Sequence, residues 1–171
     1  AALRDRAETG EGQHLDIGLL DCYYHYHELN VHRYSGSNGA LNPTREGRHL
    51  SYICPAGVYQ ATGGSIVLIA FMQHWADLCA AMERPDLIDD ACFATDEARL
   101  ERLDEVVAMV ERWLQTFPDV DSVISRMEAH GVPCAPVLSV EETITHPHLV
   151  ERGTVRTIRD PIAGDFAIPG M

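Results

Sequence analysis

The chain has 171 residues, a length that accommodates one ordinary domain with its own hydrophobic core. Its formal net charge is −13, so bulk electrostatics disfavour binding to nucleic acid or to an anionic membrane surface. No apolar run approaches the ~18 residues that cross a bilayer, and no signal-peptide pattern opens the chain, which predicts a cytoplasmic protein without a membrane partner.

The first third of the chain predicts helices around one short strand. Residues 1–8 are charged and helix-forming, and a glycine-containing turn follows. Residues 13–17 alternate between polar and apolar side chains, which predicts a short strand. Residues 18–29 have the apolar spacing of a helix, whereas 33–51 are rich in Ser, Gly, Asn, Pro and Arg. We interpret 33–51 as a long irregular linker, because loops of this length are usually functional or join domains.

A β-hairpin and two helices are predicted next. Residues 58–61 and 66–70 are apolar runs separated by a glycine turn, which is the pattern of a hairpin. Residues 73–83 form an amphipathic helical pattern that ends before Pro85, and a second short helix is predicted at 85–90.

The strongest helical periodicity covers residues 96–117, with Thr95 or Asp96 as the N-cap and Pro118 as the stop. Asp119 or Asp121 is predicted to cap the following helix, which ends near residue 131 at a glycine.

The last segment alternates between extended and helical patterns. Residues 132–137 are framed by prolines and are predicted to be extended, and Ser139 with Glu142 forms a capping-box pattern. His146-Pro147 ends that short helix, and two strands are predicted at 155–159 and 166–168. A hairpin, several helices and further short strands together favour an α+β fold.

Residue spacing alone reveals no catalytic or metal site. The five cysteines are widely spaced and contain no CxxC, which predicts a reducing compartment and buried free thiols: Cys22, Cys54, Cys79, Cys92 and Cys134. The nine histidines lack the spacing of a zinc motif, so no metal ligand is assigned. Nucleotide-binding, hydrolase and metalloprotease motifs are also absent from the sequence.

Several segments, taken in order, resemble the family III CoA transferases of the CaiB/BaiF type. Residues 9–13 read TGEGQ and are followed by LDI, and residues 19–21 read LLD. Residues 45–59 resemble the linker that enters the small domain of that family, and 131–137, GVPCAPV, is similar to its GxPxxPV loop. The family includes formyl-CoA transferase, carnitine CoA transferase and α-methylacyl-CoA racemase.

The resemblance implies a domain organisation. Residues 1–29 would be the end of an α/β large domain, and 30–52 would be a linker. Residues 53–148 would be a small α+β domain, and 149–171 would return toward the large domain. Members of the family form interlocked homodimers, so the parent protein is expected to be one.

The resemblance also implies a transfer of coenzyme A between carboxylic acids. The substrates would be a coenzyme A thioester and a carboxylate, and no cofactor would be bound permanently. The nucleophilic aspartate of the family lies before the TGxGQ segment, so we expect it upstream of this chain. We therefore assign no catalytic residue here and expect the 171 residues alone to be inactive.

The resemblance places four residues near the acyl group as substrate-binding candidates: Gly47, Arg48, His49 and Tyr59. Arg48 could meet an acceptor carboxylate with two hydrogen bonds. The alternative interpretation of each residue, as an ordinary part of a linker or strand, remains equally open.

Two other functions remain open. A racemase or lyase could use the same scaffold, but residues 71–75 read FMQHW and lack the carboxylate that the racemase branch carries there. The chain could also be a non-catalytic oligomerisation or binding domain. Surfaces that normally meet the large domain would then favour self-association.

Overall fold

The computed structural model describes residues 1–170 and shows an α+β fold. The contacts within the chain define two compact units. The first covers Ala1–Arg45 and the second begins at Glu46. No helix among the described residues is both long enough and apolar enough to span a bilayer.

The first unit consists of three short helices. These are α1 (Ala2–Thr9), α2 (Leu19–His25) and α3 (Glu28–Gly36), and none of them contains a buried residue. Helix α1 ends where Gly10 adopts a left-handed conformation with φ of 78°, a geometry that glycine adopts without a Cβ clash.

The structure corrects two predictions in this unit. Residues 13–17 form no strand, because an alternating pattern becomes a strand only when a neighbouring strand supplies hydrogen bonds. The single helix predicted at 18–29 is two helices. Between them the N–H groups of Tyr26 and His27 bond carbonyls three residues back, at Tyr23 and Tyr24. Helix α3 then continues into the segment predicted to be an irregular linker.

The sheet of the second unit has three antiparallel strands in the order β1-β2-β3. They are β1 (Ala56–Ala61), β2 (Gly64–Ile69) and β3 (Cys134–Pro136). The pairing of Ala61 with Gly64 leaves a two-residue turn at Thr62-Gly63. The structure thus confirms the predicted hairpin, although its first strand begins two residues earlier than 58.

The helical pattern predicted at 96–117 is interrupted. Helix α4 (Trp75–Ala81) precedes this region, which contains α5 (Asp96–Glu101) and α6 (Leu103–Leu114). The chain bends at Arg102, whose φ of −117° and ψ of 30° are not helical. Arg99 on α5 is completely buried, whereas α6 packs against β1, and the bend allows both helices to face the core.

The caps follow the sequence closely. The Thr95 side chain accepts a hydrogen bond from the Ala98 N–H, and the Asp119 side chain accepts one from the Ser122 N–H. Asp119 therefore starts α7 (Val120–Glu128). The capping box predicted at Ser139 is present at α8 (Val140–Thr145), and α9 (Pro147–Glu151) follows directly. A separate two-stranded sheet pairs β4 (Val155–Asp160) with β5 (Gly164–Pro169).

The hydrophobic core lies between the three-stranded sheet and helices α4, α6 and α7. Each element contributes one apolar face, as with Val106, Val110 and Leu114 on α6 at intervals of four residues. The guanidinium of Arg99 is also inside this core, where it donates hydrogen bonds to the Cys54 and Phe93 carbonyls and to Asp96. It lies 4.5 Å from the centre of the Trp75 ring.

Candidate functional site

The segment at residues 48–50 lies along the free edge of β1, the edge that does not pair with β2. The Val58 N–H donates to the Arg48 carbonyl at 2.8 Å, and the Leu50 N–H donates to the Ala56 carbonyl at 2.9 Å. His49 and Gly57 form an antiparallel bridge between these bonds. The segment therefore covers backbone groups that an edge strand would otherwise leave unpaired.

Gly57 makes this close approach possible. A Cβ at this position would lie 2.3 Å from the Arg48 carbonyl oxygen and 2.8 Å from His49 Nδ1. The φ of Gly57 is 149°, which is also a conformation that side-chain-bearing residues rarely adopt. Glycine at position 57 is thus a requirement of how residues 48 and 49 are held.

The side chain of Arg48 is connected to β1 through Glu111 on α6. Glu111 Oε1 accepts a hydrogen bond of 2.9 Å from the Gln60 N–H, which is the next donor along the free edge of β1. The same oxygen is 3.5 Å from Arg48 Nη1. The Arg48 side chain is 56% exposed and that of Glu111 is 20% exposed, so the pair borders solvent.

His49 lies against Tyr59. Their ring centres are 4.7 Å apart in an edge-to-face arrangement, and Tyr59 is fully buried. Among the described residues, neither ring nitrogen of His49 nor the Tyr59 hydroxyl has a hydrogen-bond partner.

The environment of this ring pair disfavours charge. Burial lowers the pKa of His49, and the positive charge of Arg48 lowers it further, although Glu111 and Asp104 oppose this. Burial also raises the pKa of Tyr59 well above its usual range. The imidazole and the phenol are therefore both neutral near neutral pH, and Arg48 carries the charge of the segment.

The structure brings the four predicted site residues to one edge of β1. Gly47 is exposed with φ of 72°, Arg48 is exposed, and His49 is half-buried. Tyr59 lies beneath His49, so it would influence a ligand through that ring and not by direct contact. Substrate binding by these four residues stays a prediction.

Sequence reasoning missed Gly57, Gln60 and Glu111. Glu111 is 51 residues from Gln60 and 63 residues from Arg48, and on α6 it resembles any other charged residue of an exposed helix face. Position 57 requires a positive φ and no Cβ because residues 48 and 49 lie against it, and the local sequence does not reveal that contact.

A concavity lies at the turn between β1 and β2. Its volume is about 470 Å³, and its polar lining includes Asp119, Asp121, Glu142 and His146. The carboxylates of Asp119 and Glu142 are occupied by helix caps, and these hydrogen bonds lower the pKa of both groups. Three carboxylates disfavour an anionic ligand here, and residues 1–170 contain no group of three or more side chains placed to bind a metal ion.

Two of the five cysteines, Cys54 and Cys79, are buried thiols as predicted. Burial raises the pKa of Cys54 to about 12 and that of Cys79 to about 11, so both remain protonated and unreactive. The prediction of a buried thiol is wrong for Cys22, which is exposed on α2, a helix that contains no buried residue. Cys92 and Cys134 are half-buried.

Comparison with known proteins identifies relatives over nearly the whole chain. The family model described as CoA-transferase family III matches residues 1–171. The succinyl-CoA:mesaconate CoA-transferase of Haloarcula marismortui is 31% identical, and the alignment covers 96% of this chain and 40% of that protein. The formyl-CoA:oxalate CoA-transferase of Streptomyces avermitilis is 28% identical, with coverage of 99% and 45%.

Solved structures show the same fold. Rv3272 from Mycobacterium tuberculosis superposes with a TM-score of 0.75 at 18% identity, over 99% of this chain and 43% of that one. A CaiB/BaiF family protein from Brucella suis gives a TM-score of 0.70 at 23% identity, over 98% and 47%. The chain therefore spans less than half the length of these relatives.

Proposed function

The chain belongs to the CoA-transferase family III, and from this we propose that it is part of an enzyme that moves coenzyme A between carboxylic acids. The observation that carries the proposal is similarity through at least 96% of the chain to curated relatives that are named as CoA-transferases. The acceptors in the names of these relatives are mesaconate, oxalate and D-citramalate, which are all dicarboxylic acids. We infer an acyl-CoA donor and a carboxylate acceptor for this protein, with no permanently bound cofactor.

The proposed chemistry proceeds through an aspartate of the parent protein that lies upstream of Ala1. Its carboxylate attacks the thioester carbonyl, coenzyme A leaves as the thiolate, and a mixed anhydride remains. The thiolate then attacks the aspartyl carbonyl, which releases the donor acid and leaves an aspartyl thioester. The acceptor carboxylate attacks this thioester to form a new anhydride, and the returning thiolate attacks the acceptor acyl carbonyl and regenerates the aspartate.

The present chain would contribute the small domain and its connections to the large domain. We propose residues 53–148 as the small domain, 30–52 as the linker, and 1–29 and 149–171 as large-domain segments. The exposed apolar side chains of α2 and α3, such as Leu19, Leu20 and Leu29, support this proposal, because residues of this kind are normally covered. An interlocked homodimer and a cytoplasmic location are part of the same proposal.

The role proposed for Gly47, Arg48 and His49 is to border the acyl-binding cleft, with Tyr59 supporting His49 from below. Arg48 is the cationic group of the segment and projects toward solvent, which suits an acceptor carboxylate. The backbone contacts with β1 hold the segment in one conformation, so little ordering would be required when a ligand binds.

The test uses the protein from its full reading frame. Incubation with succinyl-CoA and, in turn, mesaconate, oxalate or D-citramalate should yield the corresponding new acyl-CoA, detected by mass spectrometry. Hydroxylamine should trap the aspartyl intermediate as a hydroxamate in the presence of acyl-CoA. The absence of both the new acyl-CoA and the hydroxamate with all three acceptors would overturn the proposal. Deuterium incorporation at the α-carbon of a 2-methylacyl-CoA would instead favour a racemase.

A further inference from the structure

We propose that Glu111 is a positioning residue that holds Arg48 where its guanidinium binds the non-reacting carboxylate of a dicarboxylic acceptor. This inference rests on the proposed CoA transfer and adds a substrate class and a residue to it. Glu111 lies on α6, far in sequence from residues 47–49, and would not contact the substrate itself.

The position of Glu111 is determined independently of Arg48. Its carboxylate Oε1 accepts the Gln60 N–H at 2.9 Å, and α6 packs directly against β1. A backbone N–H at the edge of a sheet needs an acceptor, and a charged acceptor forms a strong hydrogen bond. The negative charge of Glu111 is therefore fixed in space by the sheet and the helix.

Arg48 is in turn held at both ends. Its carbonyl accepts the Val58 N–H at 2.8 Å, and its Nη1 lies 3.5 Å from Glu111 Oε1. A guanidinium has five N–H donors, and the contact with Glu111 involves only Nη1. The remaining donors of this half-exposed side chain can bind a ligand carboxylate while Glu111 limits the directions that it samples.

The strength of the Arg48–Glu111 contact suits such a role. An ion pair at 3.5 Å beside solvent is weak, so a ligand carboxylate can share the guanidinium without first breaking a strong bond. A stronger, buried pair would have made Arg48 unavailable. The contact thus orients the guanidinium without sequestering it.

A dicarboxylic acceptor needs such a cation. One of its carboxylates must reach the reacting thioester, and the other remains ionised and must leave bulk water in part. An ionised carboxylate that loses water without a partner is costly, and an arginine fork compensates with two hydrogen bonds. His49 cannot serve, since burial and the charge of Arg48 keep its imidazole neutral.

The experiment is a double-mutant cycle on the full-length protein with Glu111→Gln, Arg48→Met and the combined variant. The glutamine amide oxygen still accepts the Gln60 N–H, so the edge of β1 remains capped while the charge that orients Arg48 is lost. Each variant is assayed with succinyl-CoA as donor. The acceptors are mesaconate and tiglate, in which a methyl group replaces one carboxylate of mesaconate.

We expect Glu111→Gln to raise the KM for mesaconate about threefold to tenfold, the range typical of coupling between contacting side chains, with kcat changed less than twofold. The KM for tiglate should stay unchanged, and Glu111→Gln should have no further effect once Arg48 is methionine. Glu105→Gln, on the same helix and exposed, is the matched control and should resemble wild type.

Three outcomes would count against the inference. Equal effects of Glu111→Gln on both acceptors, or an additive effect in the Arg48→Met background, would show that Glu111 has a purely structural role. An unchanged KM for mesaconate would show that Arg48 needs no orientation. Absence of transfer by the wild-type protein to any acceptor would overturn both this inference and the proposed function, so the two failures are distinguishable.

Discussion

The two compact units of the chain differ in how their residues are stabilised. In the unit Ala1–Arg45, helices α1, α2 and α3 contain no buried residue, and their leucines and tyrosines are exposed. In the unit that begins at Glu46, the sheet and helices α4, α6 and α7 enclose a contiguous apolar core. Both units form regular helices, yet only the second buries its apolar side chains against itself.

Secondary structure and stability therefore have separate origins in this chain. Short helices are only marginally stable in water without tertiary packing. We therefore expect α1, α2 and α3 to need a further packing surface to become stable. The second unit has the core of an independent domain. In the 171-residue chain, substitutions in the second unit should therefore lower the free energy of unfolding strongly, and those in the first unit should hardly change it.

The largest effect is expected from Arg99→Met. The buried guanidinium donates to the Cys54 and Phe93 carbonyls and to Asp96, and its removal leaves these acceptors without donors. We expect a loss of about 3–5 kcal/mol in the free energy of unfolding, measured by chemical denaturation.

The matched control is Arg4→Met, which removes an 86% exposed arginine from α1 that pairs with Glu8. An exposed pair of this kind contributes about 0.5 kcal/mol or less. Equal costs of the two substitutions would mean that the first unit is as well supported as the second.

Leu78→Ala should cause the next largest loss in the free energy of unfolding. Leu78 on α4 is completely buried in the core, and its truncation removes apolar contacts and leaves a cavity. We expect a cost of about 2–5 kcal/mol by the same measurement. Leu20→Ala on α2, where the leucine is 77% exposed, should cost about 0.5 kcal/mol or less in the 171-residue chain.

The Leu20→Ala comparison becomes sharper in the full-length protein. If the apolar face of α2 is covered there, Leu20→Ala should cost more than in the shorter chain. The same small cost in both polypeptides would contradict the proposal that the first unit is part of a larger domain.

Gly57→Ala should lower the free energy of unfolding by an intermediate amount and should disturb the structure only around residues 48–50. The new methyl group would collide with the Arg48 carbonyl and with His49, so residues 48–50 would leave the edge of β1. We expect a loss of about 1–3 kcal/mol, together with faster hydrogen exchange at the Val58 and Leu50 N–H groups.

Gly63→Ala provides the contrast for Gly57. Gly63 also has positive φ, at 78°, but a Cβ there would meet no atom within 4 Å. Only backbone strain of about 1 kcal/mol is expected, with no change in exchange at Val58. Matching exchange profiles in the two variants would refute the steric role of Gly57.

The smallest effect concerns pH. Burial and Arg48 lower the folded-state pKa of His49 below its usual 6.5, so the unfolded chain binds more protons than the folded chain as the pH falls through this value. The contribution of His49 to the free energy of unfolding should therefore decrease below about pH 6.5 and level off below its folded-state pKa. His49→Asn should reduce the slope of unfolding free energy between about pH 5 and pH 7. A parallel slope in wild type and variant would exclude His49 as a contributor.

Local features of the fold were predictable because their causes are local. A hydroxyl or carboxylate at an N-cap bonds an N–H three residues ahead, which is why Thr95, Asp119 and Ser139 mark helix starts in both sequence and structure. The two-residue turn at Thr62-Gly63 likewise follows from the ability of Gly63 to adopt positive φ.

Features that depend on a distant partner were not predictable. The break at Arg102 arises because α5 and α6 meet different parts of the core, and the absence of a strand at 13–17 arises because no strand pairs with it. The burial of Cys54 and the exposure of Cys22 show the same dependence.

Residue patterns alone predict the α+β class, several helix starts, the β1–β2 hairpin and the resemblance to the CoA-transferase family III. These follow from periodicity, capping chemistry and motif order, which act over a few residues. The folded chain is needed to show that residues 48–50 cover the edge of β1, that Gly57 permits this, and that Glu111 contacts Arg48. Such contacts join residues up to 63 positions apart, so they exist only once the core has formed.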